Sequence, residues 1–215
     1  MEKKRILFIC SLPRGKHEVR FTDEIGTIEE RLLRGSFREA YDFVPKMSVK
    51  PLDLMSTIAG SASQPAPYIV HFSLHGSSDQ GLIFSDEKQM PAYQSKEYFH
   101  DLLETLVDDD WKITCLIFSA CYSKDFADLL RSIVEFSIGI EGTIPDEAMI
   151  RFSHGFYSSL FDNWDIKKSF SRGKSAVRAW IEENGFTILD DNGKKTMEDD
   201  GGPVYDERIL FFNHL

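Results

Sequence analysis

The sequence predicts an α/β fold with a mainly parallel central sheet of about six strands. Three observations carry that expectation. Short apolar runs of strand length alternate with longer stretches of helical spacing along most of the chain, the pattern that gives a parallel sheet. The most apolar run, Ile113 to Phe118, has no polar alternation, as in a strand covered by helices on both faces. The 215 residues contain no internal repeat and no obvious linker, and are enough for a single domain spanning 1–215 with a sizeable core.

The elements follow in order. Arg5 to Ser11 is a short apolar run stopped by Leu12-Pro13-Arg14-Gly15, so it reads as a first buried strand. From Asp23, Ile25, Ile28, Leu32 and Leu33 fall on one helical face with charges opposite, ending near Gly35. Tyr41 to Val49 is a weaker second strand and Leu52 to Ile58 a short helix. The Gly60 to Pro67 stretch is a loop by composition and delivers a third strand, Tyr68 to Leu74. Beyond His75-Gly76, a turn and a brief Leu82-Ile83-Phe84 suggest a small hairpin. Ser95 caps a helix running to Val107, in front of an acidic first turn. Ile113 to Phe118 is then the central strand, followed by a helix from Ser123 to Arg131, a strand from Glu135 to Ile140 and a long helix from Pro145 to Phe161, with proline at its first position. Another amphipathic helix covers Ile166 to Ile181. Leu189 to Pro203, rich in Asp, Gly and Lys, reads as a mobile acidic surface loop before a last strand, Arg208 to Asn213.

Composition narrows the functional classes. A formal charge of -10 argues against a nucleic-acid footprint, and equally against binding anionic membrane surfaces. No stretch approaches the ~18 apolar residues of a membrane span. Three cysteines make a disulfide scaffold a poor explanation, and Cys10 and Cys115 fall inside apolar runs as small hydrophobes. The basic then apolar N-terminus has too short an apolar core for a signal peptide. The expectation is a reducing, cytoplasmic protein whose partners are proteins, peptides or small molecules.

Chemistry concentrates at two strand ends. Cys121, in Phe118-Ser119-Ala120-Cys121-Tyr122-Ser123, lies just past the central run, where open parallel sheets keep their ligands. His75 lies just past the third strand, in His71-Phe72-Ser73-Leu74-His75-Gly76. A cysteine attacks as thiolate and needs a proton acceptor within reach, so the pair reads as nucleophile and base. The backbone N–H groups of Cys121 and Gly76 would form an oxyanion hole, and glycine permits the close approach. The plainer alternative is a buried thiol beside a hydrogen-bonded core histidine. His71, about 13 Å deeper along the strand, reads as structural. There is no zinc-ligand spacing, phosphate-binding glycine loop or G-x-S-x-G serine motif, so neither a metal nor another cofactor is expected.

Three ordered blocks resemble the successive motifs of CHAT domains, caspase-like cysteine peptidases of the caspase and separase clan. They are His71-Phe72-Ser73-Leu74-His75-Gly76, Ser119-Ala120-Cys121-Tyr122-Ser123, and Ile138-Gly139-Ile140-Glu141-Gly142-Thr143-Ile144-Pro145-Asp146-Glu147-Ala148 followed by Phe152 and Phe156-Tyr157. The likeness covers roughly Lys4 to Ile181. It implies a three-layer α/β/α caspase-like sandwich, peptide-bond hydrolysis through a Cys121 thioester, and His75 as general base and then acid. It also implies that Ser119, Asp146 and Glu141 bind substrate. Position 119 lines the pocket for the side chain preceding the scissile bond, where relatives often carry Asn or Asp. Asp146 resembles the acidic position with which separase-like members read a basic side chain, and is equally an ordinary first-turn aspartate.

The resulting expectation is a caspase-like cysteine endopeptidase of a bacterial defence or signalling system, cleaving a protein partner and controlled by a separately encoded regulatory or sensor protein. Leu189 to Pro203 would serve as an activation or lid loop, with Lys194 and Lys195 as self-cleavage points. A catalytically silent caspase-like module that binds a protein partner is the alternative, and a nucleotide- or small-molecule-binding domain a third.

Overall fold

Six strands form one sheet in the order β11-β8-β7-β3-β1-β2 in the computed structural model of the chain. The structure describes residues 3–15, 20–61, 64–108, 110–163, 165–184, 188–189, 195–196 and 208–213. Strands β1 (Lys4–Cys10), β2 (Tyr41–Lys46), β3 (Ile69–Ser73), β7 (Cys115–Ser119) and β8 (Phe136–Ile140) run parallel to their neighbours, and β11 (Ile209–Asn213) closes the β8 edge antiparallel. The chain first places β2 outside β1, then crosses back to β3 and builds outward through β7 and β8. β7 is central, as its unbroken apolar sequence predicts, and every residue in it is buried.

Alternation along β1 decides the layers. Ile6 and Phe8 face α1 (Phe21–Arg34), α5 (Asp146–Phe161) and α6 (Ile166–Asn184), where they pack with Ile28, Phe152, Phe156, Tyr157 and Val177. Leu7 and Ile9 face the opposite layer of α2 (Leu54–Ala59), α3 (Lys96–Leu106) and α4 (Lys124–Leu130). In that second core Phe99 meets Phe72, Phe84, Phe118 and Phe126 at ring separations of 5.3 to 6.1 Å. Each of these buried rings contributes about 1.5–3 kcal/mol of apolar transfer. The architecture is therefore a helix–sheet–helix sandwich consistent with the caspase-like expectation.

Several elements differ from the sequence reading. A short helical turn at Pro51–Asp53 precedes α2. The small hairpin is a three-stranded antiparallel sheet of β4 (His75–Ser77), β5 (Gly81–Ser85) and β6 (Pro91–Gln94), and β6 opens on proline without an apolar signature. Pro145 caps α5 instead of opening it. Leu33 is 69% exposed, whereas Glu24 is buried on the inner face of α1. Of the expected 189–203 loop only Leu189, Lys195 and Thr196 are described, where β9 (Ile188–Leu189) pairs with β10 (Lys195–Thr196); the rest of that expectation, Lys194 included, lies outside the described residues. Among the described residues, no helix is long and apolar enough to cross a membrane.

Candidate active site

β3 and β7 lie side by side in register from Ile69 opposite Cys115 to Ser73 opposite Ser119. One step further, Leu74 N–H donates to Ser119 O at 3.2 Å. The two strand ends therefore release His75 and Cys121 at the same edge of the sheet, and both side chains line one pocket.

The turn that carries Cys121 is fixed by its neighbours. Ser123 Oγ donates to Ala120 O at 2.7 Å and accepts Ile140 N–H at 3.0 Å, tying the turn to β8. Tyr122 adopts φ +57°, a left-handed conformation that a bulky side chain rarely takes, and its N–H donates to Gly142 O at 2.8 Å. Strain of this kind persists only where the surroundings impose it, and it concentrates at functional sites. The close approach expected of Gly76 is present. A Cβ there would meet Cys121 O at 1.8 Å and Cys121 N at 3.3 Å.

The three thiols have different environments. Cys121 is partly exposed, with Sγ 3.8 Å from Ile144 O. Cys10 is buried, and desolvation pushes its thiol up to about 12. Burial likewise raises Cys115 far above the ordinary thiol range. Both are held as inert thiols, which fits their reading as small hydrophobes.

Ser119 and Asp146 also line the pocket. Asp146 stands at the exposed rim, at the start of α5. The surrounding protein desolvates its carboxyl enough to raise its pKa, opposed by the Arg20 N–H donating to Oδ2 at 3.3 Å and by nearby His75. The structure does not bring Glu141 to the pocket lining. Its carboxylate pairs with Lys124 at 2.5 Å, on the α4 side of the turn after β8.

Beneath the pocket lies a group that the sequence did not disclose. Glu24, 3% exposed, accepts Ser73 Oγ–H at 2.9 Å on Oε2, and Ser119 and Ser153 hydroxyls at 3.3 and 2.6 Å on Oε1. Burial raises its pKa, against those three hydroxyls, which favour the charged form. His71 is fully buried beside it, with Nδ1 3.0 Å from Tyr157 Oη and Nε2 2.7 Å from Ser119 Oγ. A consistent assignment has Tyr157 donating to Nδ1, Nε2–H donating to Ser119, and Ser119 donating to Glu24. Desolvation lowers His71 to about 3, so the ring is neutral, as its structural reading requires. The signal for Glu24 was its position on the α1 stripe, three residues after Phe21 and four before Ile28. Among the described residues, His100, Asp101 and Glu104 form a grouping of metal-ligand types, largely exposed on α3 and separate from the pocket lining.

No protein-family model matches the chain. It is 30% identical over 181 residues to a Roc-COR-CHAT protease of an unknown prokaryotic organism, covering 82% of this chain and 17% of that protein. It is 27% identical over 197 residues to a probable protease of Gillisia limnaea (strain DSM 15749 / LMG 21470 / R-8282), covering 91% of this chain and 34% of that protein. The chain thus spans about a sixth and about a third of the lengths of these two curated relatives. Over more than four-fifths of its length the chain is similar to proteins named as proteases, and that likeness supports a protease family for it.

Proposed function

We propose that the chain is a caspase-like cysteine endopeptidase of the caspase and separase clan, with Cys121 as nucleophile and His75 as general base and acid. The observation that carries this reading is the shared pocket at the ends of β3 and β7, where a partly exposed thiol and an imidazole emerge from adjacent parallel strands. The backbone of Gly76 lies against that of Cys121, where a side chain would not fit, and this closeness supports assigning the Gly76 and Cys121 N–H groups as the oxyanion donors.

His75 takes the Cys121 proton, and the thiolate sulfur attacks the scissile carbonyl carbon. The carbonyl oxygen carries the negative charge toward the Gly76 and Cys121 N–H groups. Collapse expels the amine, which takes the proton from His75 and leaves a Cys121 thioester. His75 then removes a proton from water, the hydroxyl adds to the thioester, and the carboxylic acid departs as the thiol is restored. Ser119 and Asp146 belong to the pocket for the residue before the scissile bond, Asp146 being placed to favour a basic side chain. The substrate is a protein partner, in a cytoplasmic bacterial defence or signalling setting with separately encoded control. The protease names of the relatives support the reaction class.

A peptide library with varied residues before the scissile bond tests this directly. Cys121→Ala and His75→Ala should each lower kcat/KM by about 10⁴-fold or more. Wild-type rates in either variant would remove that residue from the mechanism.

A further inference from the structure

Glu24 is a carboxylate in the wrong place for an ordinary helix residue. It is 3% exposed, lines the pocket shared by His75 and Cys121, and receives three serine hydroxyls. A buried carboxylate is stable when a cation completes it, and a carboxylate left uncompensated is costly. Among the described residues, no Lys or Arg is paired with Glu24. Arg20, which shares the pocket, directs its guanidinium to Asp23 and Glu147, and the His71 ring is neutral.

We propose that Glu24 is the specificity-determining floor of the pocket for the residue before the scissile bond, and that it selects lysine. This rests on the peptidase reading above and names the substrate class of that site. Three features converge on it. Ser119, whose hydroxyl touches Glu24, lies two residues before Cys121 and lines the same pocket. Glu24 is buried while Cys121 is partly exposed, so the carboxylate forms the deep end of the pocket, as a long stem ending in a cation requires. The walls supply apolar surface for such a stem from Leu74, Ile144 and Met149.

The distribution of acceptors separates lysine from arginine. Oε1 already takes two hydroxyl hydrogens and Oε2 takes one. A guanidinium fork needs both oxygens along one edge. An ammonium is a point donor, satisfied by Oε2 together with serine oxygens beside it. Asp146, at the rim, adds a second negative charge to the entry path and favours either cation.

The test compares peptides with Lys, Arg, norleucine or Gln before the scissile bond, using wild type and Glu24→Gln. Wild type should prefer lysine over norleucine, which has the same four-carbon stem without the ammonium, by about 100-fold in kcat/KM, and Glu24→Gln should bring that ratio below about 10. A ratio within one preparation is independent of the fraction folded. Wild type preferring norleucine, or Glu24→Gln retaining the lysine preference, overturns the inference. Cleavage of no peptide would strike at the peptidase reading instead. The pocket is then tested separately by titrating Cys121→Ala with peptidyl-lysine amide and peptidyl-norleucine amide under NMR observation. Tighter binding of the lysine peptide sustains the cation site, and equal or absent binding overturns it.

Discussion

Glu24 and His71, with Oε1 and Nε2 3.3 Å apart, pull the stability of the protein in opposite directions as pH changes. Burial holds the Glu24 proton more tightly in the folded protein than in the unfolded chain. Its contribution is therefore fully present below the ordinary carboxylate range and is lost as pH rises through the raised value. His71 behaves in reverse. Lowered from 6.5 to about 3, it contributes stability above pH 6.5 that is lost as pH falls toward 3. The two effects overlap in mild acid. Urea unfolding of wild type and Glu24→Gln from pH 7 to 4.5 separates them, because the His71 contribution is common to both proteins. The stability difference should move toward wild type on acidification, by at most about 1.4 kcal/mol per pH unit. A difference constant over that range would mean that Glu24 ionises like an exposed carboxylate.

At the level of elements, α5 carries Asp146, Ser153 and Tyr157 toward the site, and its position is set by an unusually close crossing with α6. A Cβ on Gly155 would meet Arg172 O at 2.5 Å and the Ala176 Cβ at 2.9 Å, and one on Gly173 would meet the Phe152 ring at 2.6 Å. Gly155→Ala gains about 1 kcal/mol of helix propensity. Overpacking against a backbone carbonyl costs about 1–3 kcal/mol, so the clash should win and thermal unfolding should show a lower Tm. A raised Tm would mean that the helices separate without cost. Both helices were legible from periodicity, which identifies an apolar face but not the distance at which two faces meet. The same limit explains Glu24. His75 and Cys121 were legible because each ends an apolar run, and the sheet order that makes those runs neighbours follows from α/β connectivity. A charge on a helix reads as solvent-facing until Ser73, Ser119 and Ser153, from three separate elements, close over it. β6 escaped because Pro91-Ala92-Tyr93-Gln94 has no strand pattern of its own and forms by pairing with β5.

Across the whole molecule, the pocket depends on segments far apart in sequence, and β11 holds the one that faces Cys121. Residues 141–145 are gripped from two sides. Tyr122 N–H donates to Gly142 O from the Cys121 turn, while Glu141 N–H donates to Arg208 O at 2.9 Å. The Arg208 guanidinium donates to Thr143 O at 2.7 Å, next to Ile144, whose carbonyl lies against the Cys121 sulfur. Beyond Arg208, Phe211 stacks on Phe136 of β8 with centroids 5.4 Å apart, so the sheet edge and the pocket wall share one support. A hydrogen bond to a charged group contributes about 1.5–3 kcal/mol, enough to determine whether a five-residue loop keeps one conformation. Arg208→Ala should therefore accelerate amide exchange at 141–145 while β3 and β7 stay protected, and peptide cleavage should fall mainly through KM. Arg208→Lys should recover part of both, since a single guanidinium nitrogen, Nη1, donates to both Thr143 O and Thr143 Oγ1, and an ammonium placed there can take over the shorter bond. Exchange at 141–145 unchanged in Arg208→Ala would show that the Cys121 turn alone positions this wall.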